Sequence, residues 1–333
     1  MKDHAIDISV IVPAYNVAAT ISETLKAILN QTFQNIEIII VDDGSWDNTP
    51  AIIASFKDPR IIAVRQTNRG LAGPRNSGIH LARGKYIAFC DSDDLWVPEK
   101  LELHFNHLEN NSDVGISFSG SRMIDEDGAF LKISQTPKLK NIGAADVFKR
   151  NPIGNGSSAV IRREALECLN YRPLHETERD WWFDETLRQS EDIDAWIRFI
   201  LSADWKIEGI EGHLTYYRIQ RGGLSTNLAK QFETWCRVRD KVVQTAPSFA
   251  AKHVAPATAY QLRYLARRAF TMGDGKAAAK LARQSISWSR APIYEEPLKT
   301  IGTWMAAEAL NVFGAAFHTV VSKRLNFNPA IAK

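Results

Sequence analysis

Residues 36–45 read Ile-Glu-Ile-Ile-Ile-Val-Asp-Asp-Gly-Ser. Apart from Glu37, the first six are β-branched apolar residues in succession. A strand with one wet face alternates apolar and polar; a strand that is apolar at successive positions is covered on both faces, as in a parallel sheet flanked by helices. The run then stops at two carboxylates and a glycine, which is turn chemistry. The same grammar repeats on either side. Residues 8–12 end in Pro13-Ala14-Tyr15-Asn16, residues 61–64 form a shorter run, and residues 86–90 end in Asp91-Ser92-Asp93-Asp94. Between these runs, residues 18–29, 49–56, 76–82 and 99–108 carry helical spacing. The alternation predicts an α/β fold, Rossmann-like, with a mostly parallel sheet flanked by helices. Ligands of such sheets lie beyond the carboxyl ends of the strands, so separate strands deliver polar groups to one edge.

The chain continues less regularly over residues 113–227, with a Gly154-Asn155-Gly156-Ser157-Ser158 stretch that reads as part of the same domain. From 228 the pattern is helical to the end: 228–245, 254–272, 276–289 and 298–325, with Gly273-Asp274-Gly275 as a hairpin turn. One such hairpin is too little for a solenoid. The expected organisation is an α/β domain over 1–227, which carries the ligand edge, and an α-helical C-terminal extension over 228–333. Charge divides the same way. Residues 228–333 carry 16 Lys and Arg against 6 Asp and Glu, a net +10, which leaves −7 for residues 1–227. A basic tail favours an anionic surface. With 333 residues and 45% hydrophobic content a full core needs no staples, and the three widely spaced cysteines suggest reduced thiols rather than a disulfide framework or a zinc site. The first residues, with Lys2, Asp3 and Asp7, do not read as a secretory signal.

Asp91-Ser92-Asp93 leaves an apolar strand with alternate carboxylates, a pattern that suits a divalent cation completed by phosphate oxygens. Asp94, ahead of Leu95-Trp96, also fits a helix cap. The loop Asn68-Arg69-Gly70-Leu71-Ala72-Gly73-Pro74-Arg75-Asn76 offers glycines for close backbone approach, a helix start that favours anions, and the donor fork of Arg75.

Together, VIVPAYN (10–16), VDDGS (41–45), NRGLAGPRN (68–76) and DSDDLWVPEKL (91–101) resemble, in order and spacing, the motifs of family 2 glycosyltransferases, inverting enzymes of the GT-A fold. The resemblance covers roughly residues 6–227. It implies that Pro13 and Tyr15 flank the nucleotide base, Asp42 binds uracil, and Asn68 and Arg75 serve the donor site. Asp91 and Asp93 would hold Mg²⁺ or Mn²⁺ with the diphosphate. Ser190-Glu191-Asp192-Ile193-Asp194 resembles the family's base motif, so Asp192 is the expected catalytic base, with Glu191 orienting an acceptor hydroxyl. Inversion requires such a base across the sugar from the leaving group. The segment 217–225 resembles a loop that closes over the diphosphate, with Arg218, Arg221 and Ser225 as anion contacts; Gln220 stands where the family often has His. Trp181 and Trp182 point in different directions, so at least one is expected in the core, and a platform for an acceptor sugar ring is the alternative use of the pair.

Between Lys299 and Lys323 the only formal charge is Glu308, and Trp304 with Lys299, Lys323 and Arg324 gives the run an interfacial character. It reads either as a helix lying on the cytoplasmic face of the inner membrane or as a helix packed on its neighbour. The implied function is transfer of a hexose, most simply glucose in β linkage, from a UDP-sugar to a hydroxyl of a lipid-linked saccharide in bacterial exopolysaccharide biosynthesis, with no nucleic-acid partner. The competing readings are a non-catalytic saccharide- or protein-binding module on a GT-A shell, and a nucleotidyltransferase, whose early Gly-rich basic signature is absent after Val12.

Overall fold

The computed structural model describes residues 6–202, 204–220 and 227–324. The chain divides into two compact units, residues 1–144 with 152–218 and residues 145–151 with 219–333. The division thus falls ahead of Asn227 and assigns a short internal helical piece to the second unit. In order, the elements are β1 (Ile8–Ala14), α1 (Ile21–Leu29), β2 (Ile36–Asp42), α2 (Thr49–Ser55), β3 (Ile61–Arg65), α3 (Ala72–Leu81), β4 (Tyr86–Phe89) and β5 (Leu95–Trp96). Then follow α4 (Lys100–Asn110), β6 (Val114–Ile124), β7 (Phe130–Gln135), α5 (Ala144–Arg150), β8 (Ala159–Arg162), α6 (Arg163–Leu166), α7 (Glu191–Ser202) and β9 (Lys206–Arg218). Five helices follow among the described residues: α8 (Leu228–Thr245), α9 (Pro247–Thr271), α10 (Gly275–Trp288), α11 (Ala291–Glu295) and α12 (Pro297–Arg324).

Every residue of β1 and β2 is buried, as two-sided coverage requires. The one charge in that run, Glu37, is neutralised internally: it accepts from the Ser9 hydroxyl at 2.6 Å and from Arg83 Nε at 2.9 Å. The sheet order is β3-β2-β1-β4-β8-β6-β9-β5, with β7 on β6. The first four strands pair in parallel, and the chain reverses its direction of travel across the sheet between β1 and β4. The register sets Ala14 opposite Asp42 and Ile11 opposite Phe89, so the three tips end at one edge. A crevice at such a reversal is the standing ligand site of open α/β sheets. The other half of the sheet is mixed. β8 is antiparallel to both β4 and β6, β9 is parallel to β6 with register shifts around Gly120, and its far end pairs antiparallel with β5 beside the β4 tip. Val10, Val12, Leu25, Ile38, Ile40 and Tyr86 belong to the core under the tips. Each such fully buried aliphatic side chain contributes about 1.5–3 kcal/mol.

In the second unit, small residues let helices approach closely: Ala266 and Ala269 of α9, Ala278 and Ala282 of α10 and Ala307 of α12 form one buried cluster. A side chain at Gly275 would meet the backbone of Leu310 at 2.7 Å. Gly273, at φ 78°, ends α9, and the Asp274 carboxylate caps α10 by accepting from Ala277 N at 2.9 Å. Phe148 of α5 stacks at 6.0 Å on Trp235 of α8, which explains why this helix groups here. α12 is broken at Gly314 (φ 61°, ψ −148°). One side of α12 is buried through Ala307 and Leu310, while its other side leaves Leu298 87%, Met305 60%, Val312 71% and Phe313 67% exposed. Among the described residues no helix is long and apolar enough to cross a membrane.

Candidate active site

The nucleotide side of the crevice is built on the tips of β1 and β2. Asp42, the last residue of β2, is buried; one oxygen accepts from Ser45 N at 2.9 Å, and the other lies 3.3 Å from Arg65 Nε without a hydrogen bond. Pro13 lies within buried β1, whereas Tyr15 is 46% exposed. Asn16, at φ 52°, ties the two tips: its amide donates to Ser45 Oγ at 3.0 Å, and its side-chain oxygen accepts from Trp46 N at 3.0 Å. Asp43 organises the next loop. It accepts from Gln66 Nε2, Arg69 N and Gly70 N at 2.7–3.1 Å, while burial pushes its carboxyl up. Asn68 completes the turn by donating to Asp43 O at 3.2 Å. Gly70 sits at φ 74°, and a side chain there would meet Arg188 Nη1 at 2.4 Å. Arg188 is exposed, attracts Asp43, and makes no ion pair among the described residues. Sequence reading missed it; its only signal is a place three residues before Glu191.

The β4 tip is braced by residues from far along the chain. Ser157, 66 residues on, accepts from Asp91 N at 2.9 Å and donates to Asp94 at 2.6 Å. Asp94 is fully buried and also accepts from Arg218 N at 3.0 Å, 124 residues away. Burial, then Asp93 and Asp91, push its carboxyl well up. It is a brace; the N-cap position of the following helix falls at Glu99, whose side chain makes no capping bond. The Gly154–Ser158 stretch is therefore the floor of the site, a role its small polar composition did not announce. Lys100 lies fully buried beneath it, donating to Ser158 O at 3.0 Å, with burial pulling its ammonium down to about 7. Burial, then the neighbouring Asp91, push the Asp93 carboxyl up to about 6. Two crowded carboxylates at a strand tip are the chemistry that a divalent cation relieves, so the pair fits Mg²⁺ or Mn²⁺. No cluster of three or more His, Cys, Asp or Glu among the described residues is placed to hold a metal, so two protein carboxylates would need phosphate or water oxygens to complete a coordination shell.

The base motif opens α7 after Ser190, at φ 63°. Its three carboxylates have different fates. Glu191 is 4% exposed and accepts from Arg75 Nη1 at 2.7 Å, and Asp194 accepts from Arg198 Nε at 2.8 Å. Asp192 is half-buried, accepts only from Ile193 N at 2.8 Å, and has no ion pair among the described residues. Burial, then the neighbouring Glu191, push its carboxyl up to about 7; Arg75 opposes the shift, and Asp91 adds to it. Asp192 and Asp91 thus share one electrostatic field.

Arg75 makes that proximity. It is 2% exposed, donates Nη2 to Asp91 at 2.8 Å and Nη1 to Glu191, 116 residues away, and lies 5.6 Å from the Phe183 ring. Burial opposes its charge, yet Asp91, Glu191 and Asp192 hold the guanidinium above its ordinary range. A side chain at Gly156 would meet it at 2.4 Å. The sequence reading gave Arg75 to the donor and Glu191 to an acceptor hydroxyl. The structure places them as two ends of one bracket between the β4 tip and α7. Arg218, expected on the diphosphate, is 4% exposed; it donates to Asp93 O at 2.8 Å, Glu126 O at 2.8 Å and Glu23 at 2.7 Å, so its fork is spent on the protein. Arg221 and Ser225 lie outside the described residues. Trp181 and Trp182 are 3% and 5% exposed, so neither is a sugar platform. Their segment is pinned to α3 by Asn76, which accepts from Trp182 N at 3.0 Å, and by Arg179, which donates to Ser77 Oγ at 2.9 Å and Gly73 O at 3.2 Å; Arg69, in the loop ahead of α3, pairs with Glu176 and Glu185 of the same segment.

With this geometry in place, comparison with known proteins is specific. The family described as Glycosyl transferase family 2 matches residues 9–169. A relative in Escherichia coli, UDP-Glc:alpha-D-GlcNAc-diphosphoundecaprenol beta-1,3-glucosyltransferase WfaP, is 34% identical over 227 residues, which cover 67% of this chain and 82% of that one. Among solved structures, Staphylococcus aureus TarS 1-349 in complex with UDP-GlcNAc aligns with a TM-score of 0.64 at 17% identity, covering 96% of this chain and 92% of that one. The mannosyltransferase PcManGT from Pyrobaculum calidifontis, in complex with GDP-Man and Mn²⁺, aligns at 0.53 with 18% identity over 93% of this chain and 88% of that one.

Proposed function

The chain belongs to glycosyl transferase family 2 and is a glycosyltransferase of the GT-A fold, and from that premise we propose that it transfers glucose from UDP-glucose, with inversion to a β linkage, onto a hydroxyl of a lipid-linked saccharide in bacterial exopolysaccharide biosynthesis. The observation that carries this reading is the Arg75 bracket, which joins Asp91 of the strand tip to the helix that begins with Glu191 and Asp192. Support for donor and acceptor comes from WfaP, named for UDP-Glc and a diphosphoundecaprenol-linked GlcNAc, and from TarS, solved with UDP-GlcNAc.

In this reading the catalytic domain spans 1–227. Asp42 accepts from uracil beside Pro13 and Tyr15, Asn68 lines the donor site, and Arg188 faces the donor's negative charge. Asp91 and Asp93 would hold Mg²⁺ or Mn²⁺, which would supply positive charge against the diphosphate; PcManGT was solved with Mn²⁺. Arg221 and Ser225 add anion contacts. Of the three carboxylates at the start of α7, only Asp192 lacks a cation partner. Asp192 therefore takes the proton of the acceptor hydroxyl, and Glu191 positions it through Arg75. The enzyme works at the cytoplasmic face of the inner membrane as a peripheral protein.

UDP release measured across a donor panel, with and without EDTA and with a GlcNAc-diphospholipid acceptor, tests this. Acceptor-dependent release, greatest with UDP-glucose and lost on chelation, is the expected result. A rate indifferent to EDTA removes the metal from the scheme. Unchanged biological activity in Asp192→Asn would mark a non-catalytic binding module instead.

A further inference from the structure

Among the described residues, the outward side of α12 has no cover. Leu298, Ile301, Met305 and Val312 recur at helical spacing along one face and are 87%, 46%, 60% and 71% exposed. Phe313 adjoins them at 67% exposed, and Gly302 on the same face has nothing within 4 Å of where a side chain would start. The opposite face already contributes Ala307 to the cluster shared with α9 and α10, so folding of this unit does not use the outer stripe. A monomer seldom leaves so continuous an apolar row in water. Two large aromatic rings are also exposed on these neighbouring helices, Trp304 on α12 at 41% and Tyr294 on α11 at 76%, the residue types that settle at a lipid–water boundary.

We propose that this face of α12 is a bilayer-docking surface, lying in the plane of an anionic membrane with Leu298, Ile301, Met305 and Val312 in the acyl boundary. Charge decides between occupants. Residues 228–333 carry a net +10, so two copies brought together through this region repel, whereas anionic headgroups attract it. The stripe is an in-plane device, since no helix among the described residues has the length and apolarity to span. The inference takes its setting from the peripheral-membrane reading above and adds the surface and the lipid charge that it recognises.

The test uses the purified full chain and sedimentation with vesicles of phosphatidylglycerol and phosphatidylcholine, or of phosphatidylcholine alone. Binding at least about tenfold tighter on the anionic vesicles, weakened by added salt, is expected. Replacing Leu298, Met305 and Val312 together by Gln lowers that binding at least about tenfold. UDP release by the same variant stays at the parental rate and reports that it is folded. Ile301→Trp, a gain-of-affinity variant, binds more tightly. Equal binding by the triple-Gln variant overturns the proposal, as does absence of vesicle binding in a parental chain that still releases UDP. A dimer in sedimentation velocity that the triple-Gln variant dissociates also overturns it, in favour of a second copy. Vesicle binding without any UDP release would instead sink the transfer reading and leave the docking surface standing.

Discussion

At the scale of single residues, the site works by spending some charges so that others stay free. Arg75 and Arg218 both donate to protein acceptors at 2.7–2.8 Å, and each is nearly inaccessible. Asp192 is the carboxylate left over, held up to about 7 by burial and then by Glu191. A base acts when deprotonated, so kcat/KM should rise as pH increases through about 7 and level off above it. Asp192→Asn is expected to slow UDP release by about 10²–10⁴-fold and to erase that limb; a pH profile of the residual rate checks both. Arg188→Ala should raise the donor KM several-fold with kcat little changed, because an exposed guanidinium near the Gly70 turn binds rather than reacts. Equal KM in the variant would remove Arg188 from the donor site.

Elements show what the sequence could and could not convey. The strands β1 to β4 were legible because two-sided burial leaves unbroken apolar runs, and their tips because turn chemistry follows each run. β8 was not: Ala159–Arg162 is four residues, too short for a period, yet it separates β4 from β6 and turns that half of the sheet mixed. Arg75 and Arg218 stand out in the sequence as anion contacts, and their protein acceptors do not, since an arginine suits a phosphate and a carboxylate equally and only coordinates show which carboxylates lie within reach. Gly156 follows from the same geometry. Gly156→Ala should displace Arg75 from Asp91 and lower kcat by about tenfold to a hundredfold, with UDP affinity retained; isothermal titration beside kinetics separates the two. The Arg69, Arg179, Glu176 and Glu185 network ties the 176–185 segment together and to the loop ahead of α3. Although burial opposes it, hydrogen bonds from Glu178 N, Trp181 and Arg69 keep the Glu176 carboxyl down at about 2. Its contribution is therefore present above the ordinary value of 4.5 and is lost as pH falls toward 2. Glu176→Gln should cost about 3 kcal/mol at neutral pH, the low end for a broken buried pair because Arg69 keeps 26% of its surface in water. Denaturant midpoints at neutral and acid pH should converge.

For the whole molecule, opposite charge is segregated along the chain, −7 over residues 1–227 and +10 over 228–333. A ligand that binds only the folded state raises the melting temperature by mass action. UDP together with Mn²⁺ should therefore stabilise the protein by a few degrees more than either alone, and Asp91→Asn with Asp93→Asn should abolish the extra increment. The bracing of the β4 tip has a further consequence for biosynthesis. Its contacts span 66, 116 and 124 residues, reaching from Asp91 to Ser157, from Arg75 to Glu191 and from Asp94 to Arg218. A nascent polypeptide still threaded through the ribosome short of Arg218 lacks the closing partner. Half-made chains can therefore compact their early parallel strands while remaining unable to spend activated sugar, and the enzyme becomes competent only when its last strand has emerged.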